Sequence, residues 1–192
     1  MEPVPDAPSV TSDTAARLEE DALNTLASNP ILVCYDGSPG AKRAIEIAGG
    51  LFPGHRAVVL HVWSPPTTLR APYNVITPAP IPEFNDQEIR RAATELAEQG
   101  VEAASAAGLH AKADVAEAAL AGVWSAVLEV ADEHDAALIL LGSRGLSTFE
   151  SLLLGSVSHG IVQHARRPVL VVPPTAAVAG IAAPAAASSA TA

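Results

Sequence analysis

The sequence predicts an α/β domain built on a five-stranded parallel sheet, doubly wound in the Rossmann-like manner with helices on both faces. Two observations lead to this prediction. Short apolar segments without polar alternation indicate strands buried on both faces, which is typical of parallel sheets. Helical segments alternate with them, and right-handed crossovers then leave few topologies. By analogy with other doubly wound folds, we expect the strand order 3-2-1-4-5.

Five short segments are predicted as strands, and the third is the weakest. In chain order they are ILVCYD (31–36), AVVLHVW (57–63), HAKADVAE (110–117), ALILLG (137–142) and PVLVVP (168–173). The single cysteine, Cys34, lies in the first apolar run. We expect it to be a buried, inert thiol rather than a reactive one.

Four helical segments alternate with these strands. The first, AKRAIEIAGGLF, follows Ser38-Pro39, two residues that suit the N-cap and first position of a helix. We expect Gly49-Gly50 or Gly54 to end it. The other helices are predicted over residues 86–108, 120–135 and 156–165.

Charge and composition exclude several classes of partner. The chain has 11 Lys and Arg against 21 Asp and Glu, and a net charge of −10 argues against nucleic acid or an anionic membrane surface. A small local site for a nucleotide remains compatible with this charge. The acidic, proline-rich N-terminus lacks the basic and apolar regions of a signal peptide, and prolines break the uncharged stretch after Arg167. We therefore expect a cytoplasmic protein without a membrane span.

Two terminal segments and one long loop stand outside the alternating core. We predict an N-terminal extension over residues 1–28 that can form a short helix, a single domain over 29–174, and a disordered Ala-rich tail over 175–192. Residues 64–85 hold six of the sixteen prolines and follow the second strand. This loop is either a lid over the ligand-binding edge of the sheet or a flexible excursion, and the sequence favours neither.

The most unusual residues follow the first and fourth strands. Ligands of open α/β sheets bind beyond the carboxyl ends of the strands, where the strand order reverses, and here that point lies between strands one and four. Tyr35-Asp36-Gly37 and Gly142-Ser143-Arg144-Gly145 therefore converge on one crevice. Gly142 and Gly145 let the backbone turn and approach a ligand closely, and Arg144 suits phosphate oxygens.

The fourth helix is predicted to begin in the same crevice. Gly155-Ser156-Val157-Ser158 starts it, with free N–H groups and a positive dipole end that favour an anion, and with two hydroxyl donors. Asp36 can accept hydrogen bonds from a ribose hydroxyl or a base amino group. Together these groups match a nucleotide. Singly, the glycines are ordinary loop residues, Ser156 is an ordinary N-cap, and Asp36 can cap the first helix.

Two motifs resemble the universal stress protein family. One is ILVCYDGSPGAKRAIEIA; the other is Gly142-x2-Gly145-x9-Gly155-Ser156, which follows LILL and leads into RRPVLVV. The resemblance covers residues 29–173. It implies an α/β domain of the predicted kind, usually dimeric and induced under stress, and members with this glycine pattern generally bind ATP. Glu150, between the second and third glycines, departs from the usual neutral or basic residues and could weaken phosphate affinity.

The resemblance also implies roles for individual residues. The nucleoside would lie against residues at the ends of the first three strands, the ribose and phosphates at the end of the fourth, and the phosphate tail, often with a divalent ion such as Mg²⁺, at the start of the fourth helix. In that order, the residues are Tyr35, Asp36, Gly37, Val62 and Val115; Gly142, Arg144 and Gly145; and Gly155, Ser156, Val157 and Ser158. The fifth strand would pair with its counterpart in a homodimer.

Four functions stay open at this point. The first is an ATP-binding regulatory protein of the stress response that has little or no catalytic activity. The alternatives are a slow ATPase or phosphotransferase, a cyclic-AMP binder, and an interaction module without a nucleotide. The sequence contains no Walker A pattern, no nucleophile–base pair and no histidines at metal-ligand spacing. We therefore expect no catalytic residues and no metal held by side chains.

Overall fold

The computed structural model confirms the predicted sheet. It describes Thr25 and residues 28–64, 86–118, 122–145 and 154–173. The described strands pair in parallel, and their order across the sheet is 3-2-1-4-5, as predicted. The elements are β1 (Ile31–Cys34), α1 (Pro39–Leu51), β2 (Arg56–Trp63), α2 (Asp86–Ala106), β3 (His110–Glu117), α3 (Val123–Glu133), β4 (Leu138–Gly142), α4 (Ser156–His164) and β5 (Val169–Val172).

The strands at the centre of the sheet are buried because helices cover both of its faces. Ile31 and Val33 of β1 pack with α1 and α2 on one face, whereas Leu32 packs with α3 and α4 on the other. All three residues are fully buried. A strand covered on both sides cannot alternate apolar and polar residues, which explains the continuous apolar runs of the sequence.

The start of α1 agrees with the prediction, and its end agrees with the second predicted alternative, because Gly54, with a φ of 74°, lies in the turn just after the C-cap Phe52. Ser38 is the N-cap, and its hydroxyl oxygen accepts a hydrogen bond from the Ala41 backbone N–H at 3.1 Å. The helix continues through Gly49 to Leu51. A Cβ on Gly49 would lie 2.2 Å from the carbonyl oxygen of Ala107, just beyond α2. This glycine therefore permits close packing of two helices rather than helix termination.

Several predictions lie outside the described residues. They are the N-terminal extension up to Asn24, the loop after Ser64, the segment that contains Glu150, and the Ala-rich tail. The domain boundaries, the lid and the role of Glu150 therefore stay predictions. Among the helices that the structure describes, none is long and apolar enough to cross a membrane.

Candidate functional site

A cavity of about 230 Å³ lies at the carboxyl ends of the strands, where the strand order reverses between β1 and β4. It occupies the crevice expected from the sequence. Residues from five chain segments meet there, and most of them were predicted. The predicted residues that line it are Tyr35, Asp36, Val62, Gly142, Arg144, Gly145, Gly155, Ser156, Val157 and Ser158.

Two predicted residues, Gly37 and Val115, are not among those that line the cavity. Gly37 has a φ of 77°, a left-handed conformation that favours glycine, and it forms the turn into α1. Val115 lies in the edge strand β3. Its neighbour Ala116 packs on the α3 and α4 face, so strand alternation directs Val115 to the opposite face.

The carboxylate of Asp36 supports the turn into α1 and also faces the cavity. Its Oδ1 accepts a hydrogen bond from the Ser38 backbone N–H at 3.0 Å. Its Oδ2 faces Gly145, where an added Cβ would lie only 2.5 Å away. Because each carboxylate oxygen can accept more than one hydrogen bond, Asp36 keeps acceptor capacity for a ligand while it holds the turn.

Gly142 lacks a side chain for a reason that the sequence did not reveal. A Cβ on Gly142 would lie 2.8 Å from the carbonyl carbon of Gly40, and a Cβ on Gly40 would lie 2.7 Å from the carbonyl oxygen of Arg144. The start of α1 and the segment after β4 therefore interlock through their backbones. Gly142 lines the cavity as expected, and its lack of a Cβ also admits the backbone of α1.

The start of α4 is tied to the end of β4 by hydrogen bonds to one carbonyl group. The Ser143 carbonyl oxygen accepts from the Gly155 N–H at 2.8 Å and from the Ser158 hydroxyl at 3.0 Å. Ser158 Oγ also lies 3.0 Å from the Gly155 carbonyl oxygen. Since both of its partners are acceptors, the Ser158 proton is used inside the protein. We predicted it as a donor to the phosphate, and this geometry gives it a structural role instead.

The first turn of α4 presents uncapped backbone groups to the cavity. Gly155 is the N-cap and supplies no side-chain hydrogen bond to the helix. Amides in the first turn of a helix lack intrahelical acceptors, and the positive end of the helix dipole lies there. Ser156 and Val157 bring this helix end into the cavity lining, and Arg144 adds a permanent positive charge to it. These groups can bind an anion.

An apolar wall completes the cavity, and of its residues only Val62 was predicted from the sequence. The wall comes from the end of β2 and from one stripe of α3. The apolar pattern of these elements was visible, but only the three-dimensional structure shows which of their residues face the crevice. The lining residues that were not predicted are Cys34, Ala41, Leu60, His61, Val123, Val127 and Leu141. Such a wall suits a flat apolar group such as a nucleobase.

The thiol and the imidazole in the lining have structural rather than chemical roles. Burial, and to a lesser extent the charge of Asp36, raise the pKa of the Cys34 thiol to about 12. The thiol is therefore protonated and inert at neutral pH, as predicted. His61 Nδ1 lies 2.8 Å from the Tyr35 carbonyl oxygen, so Nδ1–H donates to it.

Comparisons with known proteins identify the family. The model of the Universal stress protein family matches residues 28–173. The chain belongs to this family. It is 31% identical to universal stress protein YxiE of Bacillus subtilis (strain 168) over 149 residues, which cover 75% of this chain and 98% of that relative.

Solved structures of the universal stress protein family share the fold. One is a universal stress protein in complex with cAMP, with a TM-score of 0.55 and 22% identity over 76% of this chain and 97% of that chain. Another is the universal stress protein from Archaeoglobus fulgidus in complex with dAMP, with a TM-score of 0.50 and 21% identity over 76% and 98%. At this level of identity, the likeness establishes the α/β architecture.

Proposed function

We propose that this universal stress protein is a regulatory protein that binds ATP in the cavity between the ends of β1 and β4. One observation carries the proposal. A carboxylate, an arginine and an uncapped helix start meet in one cavity that also has an apolar wall. The carboxylate suits the sugar of a nucleotide, the arginine and the helix start suit its phosphates, and the apolar wall suits its base.

The proposed orientation follows from the chemistry of each part of the lining. The adenine lies against the apolar wall of Leu60, Val62 and Val123, and the ribose hydroxyls donate to Asp36. The phosphates lie over the first turn of α4, near Arg144, where backbone N–H groups and positive charge favour them. The solved relatives that hold cAMP and dAMP support an adenine nucleotide as the class of ligand.

A regulatory role agrees better with the lining than catalysis does. Among the described lining residues Asp36 is the single carboxylate, and its Oδ1 already holds the Ser38 amide. Hydrolysis needs a group that orients water. No group of three or more His, Cys, Asp or Glu that could hold a metal ion exists within the described residues. Mg²⁺ would accordingly arrive on the ATP phosphates, where it neutralises part of their charge.

The proposal extends to assembly. β5 pairs with β4 on one side, and no described strand pairs with its other edge. Val169, Leu170 and Val171 are only partly buried in the single chain. Pairing of this edge with its copy in a homodimer would cover these side chains and satisfy the free backbone groups. We propose that ATP stabilises one form of this dimer.

Isothermal titration calorimetry on nucleotide-stripped protein tests the proposal. With Mg²⁺ present, we expect saturable binding of ATP, and weaker binding of cAMP and adenosine because they lack the phosphate tail. Arg144→Gln should weaken ATP binding by about tenfold and adenosine binding much less. Absence of both heat and a thermal shift with millimolar ATP would refute the proposal, and tighter binding of cAMP than ATP would replace ATP as the ligand.

A further inference from the structure

A second and larger pocket of about 830 Å³ lies at the amino ends of β2 and β3, whereas the nucleotide cavity lies at the carboxyl ends of the strands. We call it the basal groove. Its lining includes the apolar residues Pro30 and Val58 and the basic residues Arg56, His110, Lys112 and His134. Along β2, Val58 of the basal groove lies two residues before Leu60 of the nucleotide cavity, which is about 7 Å at about 3.3 Å per residue.

The register of the sheet gathers the basic side chains on one face. Arg56 pairs with His110, and Val58 pairs with Lys112. Since side chains alternate along a strand, His110 and Lys112 point to the same side of β3. Both are exposed, and their side chains make no hydrogen bond or ion pair within the part of the chain that the structure describes.

The other charged groups around the basal groove are already engaged. The Arg56 guanidinium donates to the Ser28 carbonyl oxygen. His134 Nε2 lies 2.6 Å from Asp114 Oδ2, and Asp114 Oδ1 accepts from the Val115 N–H at 2.8 Å. Asp114 is therefore satisfied, and no Asp or Glu is among the described residues that line the groove. A groove of basic character is unusual on a chain with a net charge of −10.

We propose that the basal groove is a second ligand site, which binds a small phosphate-bearing anion with at least two negative charges. The Lys112 ammonium and the Arg56 guanidinium lie on neighbouring strands and suit phosphate oxygens, since Arg56 keeps N–H donors besides the one that binds the Ser28 carbonyl oxygen. A ligand with one negative charge would pair with only one of the two cations, Arg56 and Lys112. The site is independent of the nucleotide cavity because it shares no lining residue with it.

Amide chemical-shift mapping with pyrophosphate at 0.15 M salt tests this site. In the full chain we expect saturable shifts at His110, Ala111 and Lys112. The double variant His110→Gln/Lys112→Gln should raise the dissociation constant at these amides by about tenfold. Both side chains are exposed, so the variant should fold normally. Lys42→Gln, an exposed charge on α1, is the matched control and should leave the dissociation constant unchanged.

The same spectra separate this proposal from the nucleotide site. Shifts at Ser156 and Val157 report the nucleotide cavity, and shifts at His110–Lys112 report the basal groove. Saturable shifts at the basal groove that weaken in the double variant support a second site, whatever happens at Ser156. No saturable shift there in the wild type, or an equal dissociation constant in the double variant, overturns it.

Discussion

Gly40 and Gly142 belong to different elements, yet their backbones lie closer together than two residues with side chains could. Their contact fixes the Arg144 carbonyl against the first turn of α1. The sequence marked Gly142 as part of a ligand site and gave no signal for Gly40. The partner of a close backbone contact is set by the tertiary fold, which no local pattern encodes.

The Gly40 contact leads to the first prediction. Gly40→Ala places a methyl group 2.7 Å from the Arg144 carbonyl oxygen, so the segment that carries Arg144 must shift. We expect the free energy of unfolding to fall by about 1–3 kcal/mol and ATP affinity to fall by about tenfold. Denaturant titration and calorimetry measure the two effects.

Two glycines of the same helix provide controls for Gly40. Gly50 is exposed, so Gly50→Ala should stabilise the protein by up to about 1 kcal/mol and leave ATP affinity unchanged. Gly49→Ala creates a clash with Ala107, away from the cavity, so it should lower stability alone. If Gly40→Ala binds ATP as the wild type does, the contact has no positioning role.

The two serines at the start of α4 should separate stability from binding. Ser158→Ala removes the buried hydroxyl that holds the Ser143 carbonyl, and we expect it to lower the free energy of unfolding by about 1–2 kcal/mol. Ser156 is exposed in the cavity lining, so Ser156→Ala should leave stability unchanged and weaken ATP binding several-fold. Equal effects of both variants on stability would contradict this division of roles.

The raised pKa of Cys34 predicts both reactivity and pH dependence. Its pKa is about 12 in the folded protein against an ordinary value of 9.0, because burial and Asp36 disfavour the thiolate. The contribution of the protonated thiol to the free energy of unfolding is therefore complete below pH 9, and it is lost as the pH rises toward 12. Tyr35, whose pKa is also raised, acts in the same direction. We expect iodoacetamide at pH 8 to modify the native protein at least tenfold more slowly than the unfolded chain.

At the scale of elements, contacts between helices decide where the uncapped end of α4 lies. The Trp124 ring of α3 stacks on the His164 ring of α4, with ring centroids 4.4 Å apart and planes inclined by 19°. His164 Nδ1 lies 2.9 Å from the Gly160 carbonyl oxygen. The sequence indicated both helices, but the stacking of the Trp124 and His164 rings depends on the tertiary fold and could not be predicted from the sequence.

Gly160 offers a test of this helix contact. A Cβ on Gly160 would lie 2.6 Å from Cγ of Trp124, so Gly160→Ala should push α4 away from α3. We expect a loss of about 1–3 kcal/mol in unfolding free energy and weaker ATP binding, because the first turn of α4 moves with the helix. Unchanged ATP affinity in a folded Gly160→Ala protein would show that the two ends of α4 are not coupled.

Element positions were the part of the fold that the sequence predicted well. The segment 110–117 matches β3, although it was the weakest strand prediction, and the other strands agree within two residues at each end. Continuous burial produces an apolar run that is visible without a structure. The end of α1 was predicted only as one of two alternatives, because Gly49 faces another helix and a packing glycine resembles a helix stop.

For the whole molecule, topology made the candidate site predictable. Once the strand order is given, the ends of β1 and β4 must meet, so the sequence could bring Asp36 and Ser156 into one crevice. Strand order does not determine which face of the sheet holds the cavity. The resemblance implied Val115 as a site residue, although strand alternation directs it to the opposite face, and Leu60 and Val127 were missed.

A crystal structure of the protein grown with ATP and Mg²⁺ would locate the nucleotide. We expect the adenine against Leu60 and Val62, a ribose hydroxyl within hydrogen-bond distance of Asp36, and phosphates over the amides of Ser156 and Val157. Density for the nucleotide elsewhere on the molecule, with the cavity between β1 and β4 closed by side chains, would refute ATP binding at this site.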